Sequence, residues 1–180
     1  FYIDMGDRDL QADAPYARLQ LDTWIKLKDG SHVYYISQEK RTKQHLKKIM
    51  FEAQADILYL NSMFSYFYTY LPLTIRKKFL PRRKVILAPR GMLGQGALKI
   101  KSLKKKSYLF STKMMGLYNG ITFHASSTSE EKEIHQQFGR RAKVHVAIDL
   151  VEPRKLYFVE RIKNKGSLKM IFLSRISPKK

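Results

Sequence analysis

The chain contains no cysteine, which excludes a disulfide frame, a thiol nucleophile and a cysteine-ligated metal centre, and fits a reducing compartment. No apolar run approaches the ~20 residues that a membrane-crossing helix needs, and residues 1–20 lack the basic, apolar and small-residue order of a secretory signal. There is no internal repeat and no low-complexity tract. The most informative absence concerns one sign of charge. From residue 57 to residue 129 there is no Asp or Glu, while the same stretch holds thirteen Lys and Arg. Over the whole chain of 180 residues, 35 basic against 15 acidic side chains leave a formal charge of +20. Most of that field arises in the middle third and attracts polyanions: nucleic acid, an anionic membrane surface or phosphorylated substrates.

What is present is enough for one domain of about 100–200 residues with a real core; 44% of the residues are hydrophobic. Short β-rich runs alternate with helical stretches. Runs at 33–36, 57–60, 85–88, 121–124 and 144–147 read as strands, and residues 1–3 read as a strand already under way. Residues 39–54 place Leu46, Ile49, Met50 and Ala53 at helical spacing. Residues 64–79 read as an aromatic-rich helix broken or kinked at Pro72. Residues 98–118 read as one long helix, and residues 127–138 as another with a capping box and Gly139 beyond its end. The strands are short and nearly all apolar, as a parallel sheet buried on both faces requires. The expected fold is therefore α/β, a doubly wound parallel sheet.

Ligands of such sheets bind beyond the carboxyl ends of the strands. That rule selects Asn61, then Arg90 and Gly91, then His124 and Ser126 as candidate site residues. The Gly91–Gly96 turn follows a strand and precedes a helix, yet its spacing matches neither the dinucleotide fingerprint nor a Walker loop. The five histidines show no ligand spacing, Asp7 and Asp9 are a two-carboxylate pair of low specificity, and no metal is expected. In the long basic helix, Ile100, Leu103, Ser107, Phe110, Met114 and Leu117 fall on one face. That stripe is expected to face the sheet, leaving Lys99, Lys101, Lys104, Lys105 and Lys106 to dock electrostatically on anionic lipid. Charge alone also supports a basic α/β nucleic-acid-binding module without catalysis, but no RNA- or DNA-reading motif is present. A flavodoxin-like or response-regulator-like domain would need an acidic cluster or a flavin loop that the sequence does not contain.

The runs Ala55-Asp56-Ile57-Leu58-Tyr59-Leu60-Asn61-Ser62, Leu87-Ala88-Pro89-Arg90-Gly91-Met92-Leu93, Ala97-Leu98-Lys99 and His124-Ala125-Ser126-Ser127 followed by Glu130, in this order, resemble the amino-terminal domain of group 1 (family 4) GT-B glycosyltransferases. Residues 172–180 resemble the first strand and loop of that family's carboxyl-terminal domain. The resemblance implies a Rossmann-like acceptor-binding domain over 1–153 that lacks its first strand and loop, a linker over 154–167, and the start of a nucleotide-sugar-binding domain over 168–180. It implies transfer, with retention and without a metal or other cofactor, from a nucleotide-sugar to a saccharide or lipid-linked acceptor in cell-surface polysaccharide synthesis. Arg175 and Lys180 would hold the donor diphosphate, and two cations there would stabilise charge building on the leaving group. The enzyme would sit in the cytoplasm against the inner face of the membrane. As half an enzyme, this chain is expected to be inactive alone.

Overall fold

A computed structural model describes residues 2–4, 19–149 and 166. Arg175, Lys180, Asp7, Asp9, residues 168–180 and all of the 154–167 linker except Gly166 lie outside the described residues. Among the described residues thirteen elements follow one another: β1 (Tyr2–Asp4), β2 (Trp24–Lys26), β3 (His32–Tyr35), α1 (Lys43–Glu52), β4 (Ile57–Leu60), a π-helical turn (Tyr66–Tyr70), α2 (Leu71–Phe79), β5 (Lys84–Leu87), α3 (Gln95–Lys99), α4 (Ser102–Met114), β6 (Thr122–Ala125), α5 (Thr128–Phe138) and β7 (Lys143–Val146).

The strands form two sheets. β4, β5, β6 and β7 pair in sequence order, all parallel, with Ile57 opposite Lys84, Ile86 opposite Thr122 and Thr122 opposite Lys143. β3 lies between β1, which is parallel to it, and β2, which is antiparallel. The β2–β3 hairpin was not expected from the sequence. Its cause is local: Asp29 Oδ1 accepts from the Ser31 amide at 2.9 Å, and Gly30 takes φ +84°, a turn that folds Trp24 back onto Tyr34.

The four-stranded sheet buries one face. Leu60, Val85, Leu87, Phe123 and Ala125 pack there against Leu73 of α2, Leu109 of α4 and Ile134 of α5. A second cluster joins Tyr34 and Ile36 to Leu46 and Ile49 of α1 and to Leu71 and Ile75 of α2, and Leu58 touches both clusters. The opposite face of the sheet, which carries Ile57, Tyr59, Lys84, Ile86, Thr122, His124, Lys143 and His145, is exposed or half-exposed. The expectation that the strands are buried on both faces therefore does not hold among the described residues; the parallel sheet flanked by helices does.

Two helices also differ from expectation. Pro72 has no N–H to donate and its ring crowds the carbonyl four residues back, so the chain widens into a π-helical turn before α2. Thr69, fully buried there, donates to the Ser62 carbonyl at 2.8 Å. The expected single helix over 98–118 is two, separated at Ile100 and Lys101, with Lys101 left-handed at φ +53°. The break turns α4, and the part of the expected stripe that lies on it, Leu103, Ser107, Phe110 and Met114, points outward instead, whereas Leu117 beyond its end is buried in the core. Leu103 is 80%, Phe110 68% and Met114 75% exposed. The buried side of α4 is Leu109 and Thr112, whose hydroxyl donates to the Tyr108 carbonyl at 2.6 Å.

Candidate functional site

The carboxyl ends of β4 to β7 come together at one rim of the parallel sheet. β5 ends at Leu87, and the Ala88 amide still donates to the Leu60 carbonyl at 2.9 Å. After Pro89, Arg90 and Gly91 are both left-handed, at φ +55° and +67°. Glycine takes that conformation freely. A β-carbon at Arg90 makes it cost about 1–2 kcal/mol, so the surroundings must hold the turn in place.

They do so through the Arg90 guanidinium. Nε donates to Asn61 Oδ1 at 2.6 Å, Nη2 donates to the Tyr59 hydroxyl at 3.2 Å, and Nη1 is ion-paired with Asp149. One planar cation thus ties the end of β4 to the segment following β7. The pairing holds the exposed Asp149 carboxyl below its ordinary range, chiefly through the hydrogen bond from Arg90.

The Tyr59 hydroxyl also bonds His124 Nδ1. On the far side of that ring, Nε2 lies 2.8 Å from the Ala147 carbonyl. A carbonyl only accepts, so Nε2 carries the proton, and in the neutral ring Nδ1 accepts from Tyr59. Tyr59 therefore takes a hydrogen bond from Arg90 and gives one to His124, while its side chain stays 47% exposed.

Beneath this array lies Glu130, only 4% exposed, in the first turn of α5. Oε1 accepts from the Gly91 amide at 2.6 Å; Oε2 accepts from the Ser126 amide and the Ser126 hydroxyl, both at 2.7 Å. Burial opposes ionisation of this carboxyl, but the three hydrogen bonds, assisted by Arg90, outweigh it and leave its pKa lowered. Glu130 binds the turn after β5 to the turn after β6.

The structure thus brings Asn61, Arg90, Gly91, His124 and Ser126 to one rim, as the strand-end rule expected, but in unequal roles. Asn61 is exposed and Arg90 and His124 are half-buried, whereas the Gly91 amide and Ser126 are committed to Glu130. The sequence selects neither Tyr59 nor Asp149 as a site residue, and it gives Glu130 only as part of the capping box and of the run that carries the resemblance. A groove of about 880 Å³ adjoins the rim, lined by Tyr59, Asn61, Ser62, Ser65 and Tyr68 together with apolar side chains that include Ile3, Leu46 and Met50. A second concavity of about 800 Å³ lies at the other ends of the strands; Lys84, Lys113, Arg141 and Lys143 line it without a carboxylate. Among the described residues, no group of three His, Asp or Glu could hold a metal ion.

Of the five lysines expected to dock on lipid, Lys99, Lys101, Lys104 and Lys106 are exposed. Lys105 is turned inward, its amine bonded to the Ala97 carbonyl and 5.2 Å from the centre of the Phe64 ring. No described helix is long and apolar enough to cross a membrane. Against known proteins, the chain matches no family model, no curated sequence and no solved structure, so the functional reading rests on the geometry of this rim and on the order of the residues that build it.

Proposed function

We propose that the rim holds a hydroxyl-rich saccharide acceptor and that the chain is the acceptor-binding part of a GT-B glycosyltransferase of the Rossmann-like kind. The observation that carries this reading is the Arg90–Tyr59–His124 array at the carboxyl ends of a parallel sheet, where such folds bind their ligands. Asn61 accepts from Arg90 through Oδ1, which leaves its Nδ2 to donate. The exposed Tyr59 hydroxyl takes a hydrogen bond from Arg90 and gives one to His124, and its oxygen keeps a second lone pair for an acceptor hydroxyl. Together these groups can hold adjacent sugar hydroxyls, and the apolar groove beside them suits an acceptor that carries a lipid.

The donor would be a nucleotide-sugar, with Arg175 and Lys180 on its diphosphate. Those two roles come from the resemblance alone. Transfer with retention and without a metal belongs to the same reading, as does a cytoplasmic enzyme at the inner face of the membrane.

Saturation-transfer NMR with a panel of mono- and disaccharides tests the acceptor site. Weak binding is expected, and Tyr59→Phe should weaken it roughly three- to tenfold, the equivalent of one hydrogen bond. A chain that touches no saccharide, or that binds one equally well as Tyr59→Phe, would reject the proposal. The carboxylate-free concavity at Lys84, Lys113, Arg141 and Lys143 favours a second reading, a basic module for nucleic acid. That reading requires sequence-tolerant binding whose affinity falls steeply with salt.

A further inference from the structure

A core-packed helix hides its apolar stripe, but α4 shows its stripe to solvent. At about 100° per residue, Leu103, Ser107, Phe110 and Met114 fall within an arc of about 60°. The buried Leu109 and Thr112 lie on the opposite side of the helix. Lys106 and Lys113 border the stripe on one flank and Lys104 on the other, with Lys99 and Lys101 at its amino-terminal end; all five are exposed. The Lys113 amine is bonded to the Gln137 carbonyl of α5 and lies 4.8 Å from the centre of the Phe138 ring, so it adds to the local charge while the other four lysines stay free to reach a surface. No acidic residue occurs anywhere from 57 to 129, so nothing on this helix or the segments flanking it in sequence offsets the lysines.

We propose that α4 is an interfacial anchor, lying in the plane of an anionic bilayer with Leu103, Phe110 and Met114 among the upper acyl chains and the lysines among the phosphates. Charge complementarity selects the occupant. A protein surface complementary to bare Leu, Phe and Met would not need a collar of cations, whereas a bilayer offers negative headgroups directly above an apolar layer. Long lysine side chains can lie along the apolar boundary and still reach the phosphates. At 13 residues the helix is about 20 Å long, too short to span, so it rests on the surface. This inference does not depend on the acceptor site, and it replaces the purely electrostatic docking expected from the sequence.

The absence of cysteine makes the test direct. Ser107→Cys carries an environment-sensitive fluorophore at a single place, inside the stripe. Vesicles of phosphatidylcholine mixed with phosphatidylglycerol should brighten and blue-shift it, and vesicles of phosphatidylcholine alone should do so far less. In flotation with the same mixed vesicles, Leu103→Ser, Phe110→Ser and Met114→Ser combined should lower partitioning at least about tenfold, including at high salt, where the lysines are screened. These three positions are exposed, so the fold should survive, and an unchanged circular dichroism spectrum would establish that it does. Flotation of the triple variant equal to the parent would overturn insertion. So would an equal blue shift on adding single-stranded DNA, or one that grows with protein concentration in the absence of vesicles, as when a second copy covers the stripe.

Discussion

Glu130 is the residue on which the rim's shape depends, and it acts through Gly91 and Ser126 as a positioning group. Glu130→Ala would leave three donors without an acceptor in a buried place and should cost about 3 kcal/mol of stability, read as a fall in the urea midpoint at unchanged slope. The pH dependence follows from the direction of its shift. Its folded pKa lies below the ordinary 4.5, so the ionised form's contribution is complete above that value and disappears as the pH falls through the lowered one. The stability gap between the parent and Glu130→Gln should therefore be widest near neutrality and close in acid; a gap that stayed constant with pH would show that charge plays no part. Asn61, Arg90, Gly91 and Ser126 were legible in the sequence because each follows an apolar β-rich run, and His124 because it ends one. Tyr59 was not, since an aromatic inside such a run reads as core, and only the open face of the sheet exposes it. Asp149 lies two residues beyond the run at 144–147, after which the strand-end rule selects no candidate. Glu130 lies three residues after Ser127 and so looks like a cap; its reach back to Gly91 exists only once two distant turns are folded together.

Among the elements, α5 is the one whose start is most fully written in local chemistry. Ser127 is extended, and its hydroxyl accepts from the Glu130 amide at 3.2 Å; the Gly139 amide closes the far end on the His135 carbonyl at 2.8 Å. Ser127→Ala should cost about 1 kcal/mol, measured by chemical denaturation, and Ser127→Asp should restore most of it, because a carboxylate both caps and complements the helix dipole. A Ser127→Ala variant as stable as the parent would mean that tertiary packing alone fixes this helix. β4, β5 and β6, together with α1 and α5, were readable from periodicity, caps and apolar runs. α4 shows where that reading ends. A stripe at helical spacing establishes that a helix has two faces but not which one meets the core. Here the break at Lys101 and the hydroxyl of Thr112, satisfied by its own helix, allow the less apolar side to pack inward. The β2–β3 hairpin shows the converse, a turn with a clear local cause at Asp29 and Gly30 whose strand was too short and too mixed to stand out.

For the molecule as a whole, the acid-free middle third raises the question of where its cations go. Arg76 donates to the carbonyls of Arg83 at 3.0 Å and Asn119 at 3.3 Å. Lys77 bonds the Met115 carbonyl, Arg83 the Ala55 carbonyl, Lys105 the Ala97 carbonyl and Lys113 the Gln137 carbonyl. A carbonyl satisfies an N–H group but cancels no charge. The field of these cations therefore survives folding, and a chain of net charge +20 repels itself in its compact form. Burial already works against one of them, lowering the pKa of Lys113. Salt should relieve this strain. Raising sodium chloride from a few tens to a few hundred millimolar shortens the screening length to well under the width of the domain and should raise the melting temperature. A gain of about 1–2 kcal/mol corresponds to roughly 3–6 °C for a chain of this length. Among the described residues the ionic ties that salt would weaken are few and each has at least one partly exposed partner, as with Lys48 and Glu52 at 3.7 Å, and such pairs contribute little. A melting temperature that fell with salt would mean that attraction between surface charges outweighs their repulsion.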